Sequence, residues 1–83
     1  MPIHPWINMV EYETIRTEEI KFGRNNFIEV ARKKAISENG ENEFISISRG
    51  YYLDDGSRKW KASITLPAEQ EKREEIAELI KSL

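Results

Sequence analysis

Apolar and polar positions alternate most clearly between Glu43 and Leu66, on either side of Asp55-Gly56. Asp-Gly between two such runs predicts a β-hairpin, because a two-residue type I′ turn needs positive φ at both central positions. Centred there, the register pairs Tyr52 with Lys59, Tyr51 with Trp60, Gly50 with Lys61 and Arg49 with Ala62. Farther from the turn, Ser48 meets Ser63, Ile47 meets Ile64, Ser46 meets Thr65 and Ile45 meets Leu66. Successive side chains point to opposite faces, so one face runs from an Ile/Leu core to Tyr51 and Trp60. The other carries the serines, Gly50, Lys61, Tyr52 and Lys59.

Two shorter alternations precede the hairpin. From Trp6 the chain is extended in character, with Val10, Tyr12 and Thr14 on one side and Met9, Glu11 and Glu13 on the other. Ile20-Lys21-Phe22 spaces its apolar residues by two and is expected to be a second short strand. Gly23 punctuates the chain, and Asn25 or Asn26 can cap a helix. At about 100° per residue, Phe27, Ile28, Val30, Ala31 and Ala35 share one arc, with Ile36 outside it. This predicts a helix over Phe27–Glu38, stopped by Asn39-Gly40.

Pro67 suits a first helical position, so the last helix is expected from Ala68 to Leu83. Its first half is polar all round, with Glu69 one turn from Arg73. Ile76, Ala77, Leu79, Ile80 and Leu83 then form an apolar stripe. The expected fold class is α+β: an antiparallel four-stranded sheet with helices packed on one face, in the order β-β-α-β-β-α.

Eighty-three residues make a single domain, 1–83, with 1–5 as a tail kept irregular by Pro2 and Pro5. A chain of this length buries only about 60% of its unfolded surface, so dimerisation through the last helix would add stability. Cysteine is absent, which removes disulfides, thiolate metal sites and cysteine nucleophiles and fits a reducing cytoplasm. No apolar run nears the roughly 18 residues of a membrane span, and no basic-then-apolar leader opens the chain. A soluble cytoplasmic protein with no membrane partner is expected. The high share of charged residues, 34%, leans toward a thermophile.

The net charge of −2 hides an uneven distribution. Residues 1–20 carry four acids and one base, residues 21–66 nine bases and six acids, and residues 67–83 five acids and three bases. The basic middle can steer an anion toward one surface of an acidic chain.

Catalytic groups are scarce. His4 is the only histidine and stands in the tail, beside no group that would orient it as a base. Ser46, Ser48 and Ser63 lie mid-strand without a nucleophile elbow. Glu41, Glu43, Asp54 and Asp55 flank turns without calcium-loop or paired-carboxylate spacing. Phe22-Gly23-Arg24-Asn25-Asn26 has one glycine, too few for a phosphate loop. No enzyme, no cofactor and no metal site are expected. That segment would still offer helix N–H groups to phosphate beside Lys21 and Arg24; alternatively, Asn25 and Asn26 simply cap.

The hairpin tip carries the stronger pattern. Arg49-Gly50-Tyr51-Tyr52 and Arg58-Lys59-Trp60-Lys61 interleave cations with aromatic rings on adjoining strands. Single-stranded nucleic acid is held by this combination, with cations on phosphates and rings stacked on bases. The plainer reading makes Tyr51 and Trp60 an aromatic pair at the core edge and the lysines a solvated strand face.

Residues 20–33, from Ile20-Lys21-Phe22-Gly23-Arg24-Asn25-Asn26-Phe27 to Lys33, precede Phe44-Ile45-Ser46-Ile47-Ser48-Arg49-Gly50-Tyr51 and Trp60-Lys61-Ala62-Ser63-Ile64-Thr65-Leu66-Pro67. Together they resemble the archaeal ThermoDBP family of single-stranded DNA-binding proteins and their shorter relatives, over about residues 10–67. The resemblance implies a four-stranded antiparallel sheet with a helix against it, a cleft of exposed rings rimmed by basic residues, and assembly through a C-terminal helix. The hairpin and final helix also look like transcription positive-cofactor single-strand-binding domains, which have no helix matching Phe27–Glu38.

The expected function is largely sequence-independent binding of single-stranded DNA, with RNA as the secondary candidate ligand, by a homodimer or higher homo-oligomer. Lys21, Arg24, Arg49, Arg58, Lys59 and Lys61 would meet phosphates, Asn25 would add a donor, and Phe22, Tyr51, Tyr52 and Trp60 would stack on bases. Ile76, Leu79, Ile80 and Leu83 would join protomers. The alternative is a small protein-protein interaction or oligomerisation module that uses the C-terminal helix.

Overall fold

The chain is described over residues 10–83 by a computed structural model. The expected tail, His4, and the start of the first strand at Trp6 and Met9 lie outside the described residues. Four strands, β1 (Glu11–Phe22), β2 (Asn26–Ser37), β3 (Gly40–Tyr52) and β4 (Arg58–Pro67), are followed by one helix, α1 (Gln70–Ser82). The strands form an antiparallel meander in the order β1-β2-β3-β4. The order is therefore β-β-β-β-α, and the expected β-β-α-β-β-α arrangement, with helices layered on the sheet, is not found.

The largest departure is at Phe27–Glu38, which forms β2 rather than a helix. Phe27, Ile28, Val30, Ala31 and Ala35 satisfy a helical arc, but both faces of β2 carry apolar residues, which blurs the period of two. Ile36, which no helical arc accommodates, shares a strand face with Ile28 and Val30. Pairing on both edges, from Glu11↔Ile36 to Phe22↔Asn26 on one side and from Ser37↔Gly40 to Asn26↔Tyr51 on the other, outweighs the local helical preference. Asn39-Gly40 ends a strand, not a helix, and the Glu38-Asn39 turn leads into Gly40 at φ 127°. Tight turns and helix stops draw on the same residues.

The two short strands expected before Gly23 are one continuous β1, with a bulge at Ile15 where the register shifts between Thr14 and Arg16. Asn25 is no helix cap. It lies in the β1–β2 turn at φ 64°, a conformation asparagine tolerates, and its carbonyl accepts the Tyr52 N–H at 2.7 Å. The proposed helix N-terminus for phosphate is therefore absent from this segment.

In the β3–β4 hairpin, the expected register holds from Arg49↔Ala62 to Ile45↔Leu66. Toward the tip it moves by one residue, to Gly50↔Trp60, Tyr51↔Lys59 and Tyr52↔Arg58. The loop is Asp54-Asp55-Gly56, closed by Leu53 N–H to Ser57 C=O at 2.8 Å, with Gly56 at φ 87°. This matches a type I turn followed by a left-handed glycine. Ser57 donates its N–H and hydroxyl to Asp55 Oδ1 at 2.9 and 2.6 Å and thereby holds the Asp55 carboxyl below its ordinary range. The extra loop residue is offset by a bulge at Lys61, so the two irregularities cancel from Ala62 onward.

Partners across antiparallel strands share a face. One face, here the aromatic face, carries the row Lys21, Phe27, Gly50, Trp60, then Glu19, Glu29, Ser48, Ser63. The most buried side chains all lie on it: Phe27 and Ala31, with Ser46 and Ser48. The other, aliphatic face carries Ile20, Ile28, Arg49, Ala62, then Val30, Ile47 and Ile64. Several of these remain in contact with solvent, Ile20 at 62% and Ile64 at 58% exposure.

Helix α1 begins at Gln70 rather than Ala68, and Pro67 closes β4. Arg73 does not pair with Glu69; its Nε donates to the Ala68 carbonyl at 2.9 Å. The start of α1 stands over the aliphatic face, where Arg73 shares a groove with Arg16, Val30 and Ile45. The backbone of the helix comes close to β4 alone among the strands, and no residue in it is fully buried. Among the described residues, no helix is long and apolar enough to cross a membrane.

Candidate functional site

The turn-bearing end of the sheet, where β1 and β3 finish and β2 and β4 begin, gathers most of the rings. Phe27, fully buried, lies under Tyr52 and Trp60, whose ring centroids are 5.1 and 5.0 Å away. The Arg58 guanidinium sits 4.9 Å from the Phe27 centroid and 5.3 Å from that of Trp60. Gly50 makes this stacking feasible, since a Cβ there would collide with the Lys59 carbonyl and come within 2.7 Å of Phe27 Cζ. Trp60, about half exposed, faces solvent from this cluster.

This placement corrects the expected pairing of Tyr51 with Trp60. The shift at the tip puts Trp60 with Phe27 and Tyr52 on the aromatic face and leaves Tyr51 on the aliphatic face with Phe22, Asn26 and Lys59. The residues expected to bind nucleic acid thus divide. Lys21, Tyr52, Arg58 and Trp60 lie on the aromatic face; Phe22, Arg49, Tyr51 and Lys59 lie on the other. Arg24 and Asn25 lie in the β1–β2 turn. Lys61, the bulged residue, places Nζ 5.9 Å from the Tyr51 ring.

Electrostatics divide the cations differently. Arg58 is held by Glu19 at 2.7 Å and by Glu29 at 3.3 Å. Tyr52 donates its hydroxyl to the same Glu19 carboxylate at 2.7 Å, and this bond, assisted by desolvation, holds the phenol above its ordinary pKa. Lys21, Arg24, Arg49, Lys59 and Lys61 form no ion pair among the described residues. Lys21 Nζ instead lies 5.2 Å from the Tyr52 centroid. Five of the six expected phosphate contacts are therefore uncommitted, and Arg58 alone is engaged.

These groups meet at the first half of β4, which is an edge strand. Arg58, Lys59, Trp60 and Lys61 are all exposed there. Trp60 projects to one side, and the free ammonium groups of Lys59 and Lys61 reach toward the other, with Arg49 and Tyr51 behind them. An extended polyanion crossing this edge would meet cations and a stacking surface together.

Sequence reasoning missed Phe27, assigned to a helix, and the carboxylates Glu19 and Glu29. No local signal marks those acids, because they reach Arg58 from β1 and β2 only once the meander is closed. Compared with known proteins, the chain matches no family model, no curated protein and no solved structure.

Proposed function

We propose that the protein binds single-stranded DNA or RNA along the tip of β4, with no catalytic step. The carrying observation is the half-exposed Trp60 flanked on one edge strand by Lys59 and Lys61, which have no ion-pair partner among the described residues. Phosphates would lie against Lys59, Lys61 and Arg49, with Lys21 and Arg24 near the β1–β2 turn, and a base would stack on Trp60. The segment expected to be a helix, the feature that set this chain apart from positive-cofactor single-strand-binding domains, is strand β2. In a binding titration, Trp60→Ala is expected to weaken affinity by about 1–3 kcal/mol, roughly 5- to 150-fold.

The exposed aliphatic face favours a second, compatible reading, self-association. Ile20, Val30 and Ile64 on the sheet and Leu79 and Ile80 on α1 are all more than a third exposed, while Ile76 is half-buried and Leu83 fully exposed. With Phe27 as the one large side chain fully buried among the described residues, a second copy would supply the missing cover. Sedimentation is expected to show a homodimer for the natural chain and a folded monomer for Ile64→Lys combined with Leu79→Lys. A natural chain that stays monomeric at high micromolar concentration would contradict this reading.

A further inference from the structure

Beside Trp60 lies a shallow pocket of about 370 Å³ on the aromatic face, lined by Glu29, Lys33, Ser48 and Ser63 and opening at the Lys61 bulge. A carboxylate is an awkward neighbour for phosphate, so its presence within a nucleic-acid surface calls for another role. We propose that this pocket selects guanine in a single strand, with the Watson–Crick edge of the base against Glu29 and its ring on Trp60. The inference rests on the binding reading above and adds base preference to it.

Hydrogen-bond accounting supports the assignment. Ser46, Ser48 and Ser63 form a triangle of hydroxyls, with oxygens 3.0, 3.4 and 3.5 Å apart. Each hydroxyl has one proton; where the three donate around the ring, all of them are used and the floor presents lone pairs. Glu29 gives one oxygen, Oε2, to Arg58 at 3.3 Å, and its other oxygen has no partner among the described residues. Floor and wall together therefore seek donors.

Among the bases, guanine alone offers two adjacent donors, N1–H and the 2-amino group, in the arrangement a carboxylate accepts. Thymine flanks its one N–H with two carbonyl oxygens, which a carboxylate repels. Adenine and cytosine place an acceptor nitrogen beside their amino group. Lys33 and Lys61, both without an ion-pair partner among the described residues, also line the pocket and would meet the guanine O6 or a phosphate.

The test is anisotropy with a labelled oligothymidine and with the same strand carrying one central guanine, adenine or hypoxanthine. A single guanine excludes quadruplex formation. The guanine strand is expected to bind roughly 5- to 100-fold more tightly than the thymine strand. Hypoxanthine, which lacks the 2-amino group, should fall between, and adenine should gain little. Glu29→Gln, which keeps an acceptor for Arg58, should abolish the guanine advantage without weakening binding to oligothymidine.

Equal affinity for guanine and thymine strands overturns the base preference while leaving the binding reading intact. Equal gains from adenine and guanine reduce the effect to purine stacking and overturn it as well, as does a guanine advantage that survives in Glu29→Gln. Absence of binding to any strand overturns both readings. The natural chain decides the question by its base series alone, should the variant not fold.

Discussion

Phe27→Ala is expected to cost about 3–5 kcal/mol, the range for truncating a buried phenylalanine. Phe27 has no exposed surface and supports three groups at once: Tyr52, Trp60 and the Arg58 guanidinium. Its loss removes the buried ring and the aromatic geometry above it, and nothing stands ready to fill the space. A protein of 83 residues has a total stability of roughly 4–12 kcal/mol. The variant should therefore lose from about a quarter to all of that stability, read as a large fall in the urea midpoint monitored by circular dichroism. Ile64→Ala, at a position 58% exposed, provides the contrast and should change stability little if the chain is monomeric under the assay conditions.

The second large effect is expected at Gly50. Its backbone is ordinary in φ, so the requirement for glycine is purely steric. An added Cβ meets the Lys59 carbonyl on the neighbouring strand and the edge of Phe27. Side-chain rotation can relieve the second clash but not the first, because the obstacle is backbone. Gly50→Ala should cost at least about 1–3 kcal/mol by overpacking, and Gly50→Val more. Phe27→Leu should not rescue Gly50→Ala, since the carbonyl remains in place. Gly40→Ala separates steric from conformational cost: no atom lies within 4 Å of its added Cβ, and only the φ of 127° opposes it. Thermal melts of the set rank these two causes directly.

The hairpin shows how far sequence reasoning reaches. Ile45↔Leu66 and its neighbours follow from alternation, because a slip there would turn an apolar face to the wrong side. Near the tip, Asp55-Gly56 resembles a two-residue turn, yet Gly56 serves equally as the left-handed residue after a type I turn. That one-residue difference moves Trp60 to the opposite face and breaks its pairing with Tyr51. The compensating bulge at Lys61 carries no distinguishing residue, so the register alone could not disclose it.

The misassigned helix has a similar origin. β2 is bonded along both edges and apolar on both faces, so its period of two is masked, and Ile36 was the one residue that fitted only the strand. In the candidate site, the cation and ring identities at the tip were legible as a cluster of residue types. Their division between two faces, and the capture of Arg58 by Glu19 and Glu29, depend on sheet order, which no local pattern encodes. The last helix was legible as an element, but its sparse contact with the sheet was not, because an apolar stripe does not say what covers it.

The central proposal is that the tip of β4 holds a single strand through Trp60 and its flanking cations. Its most direct test is a titration of a labelled single-stranded oligonucleotide at two salt concentrations, with the natural chain and with Trp60→Ala. The expected result is saturable binding at micromolar protein or below, weakening with salt at a log–log slope of roughly −3.5 if five phosphates are neutralised, and a loss of affinity in the variant. Absence of salt-sensitive binding at micromolar protein, or binding untouched by Trp60→Ala, would contradict it.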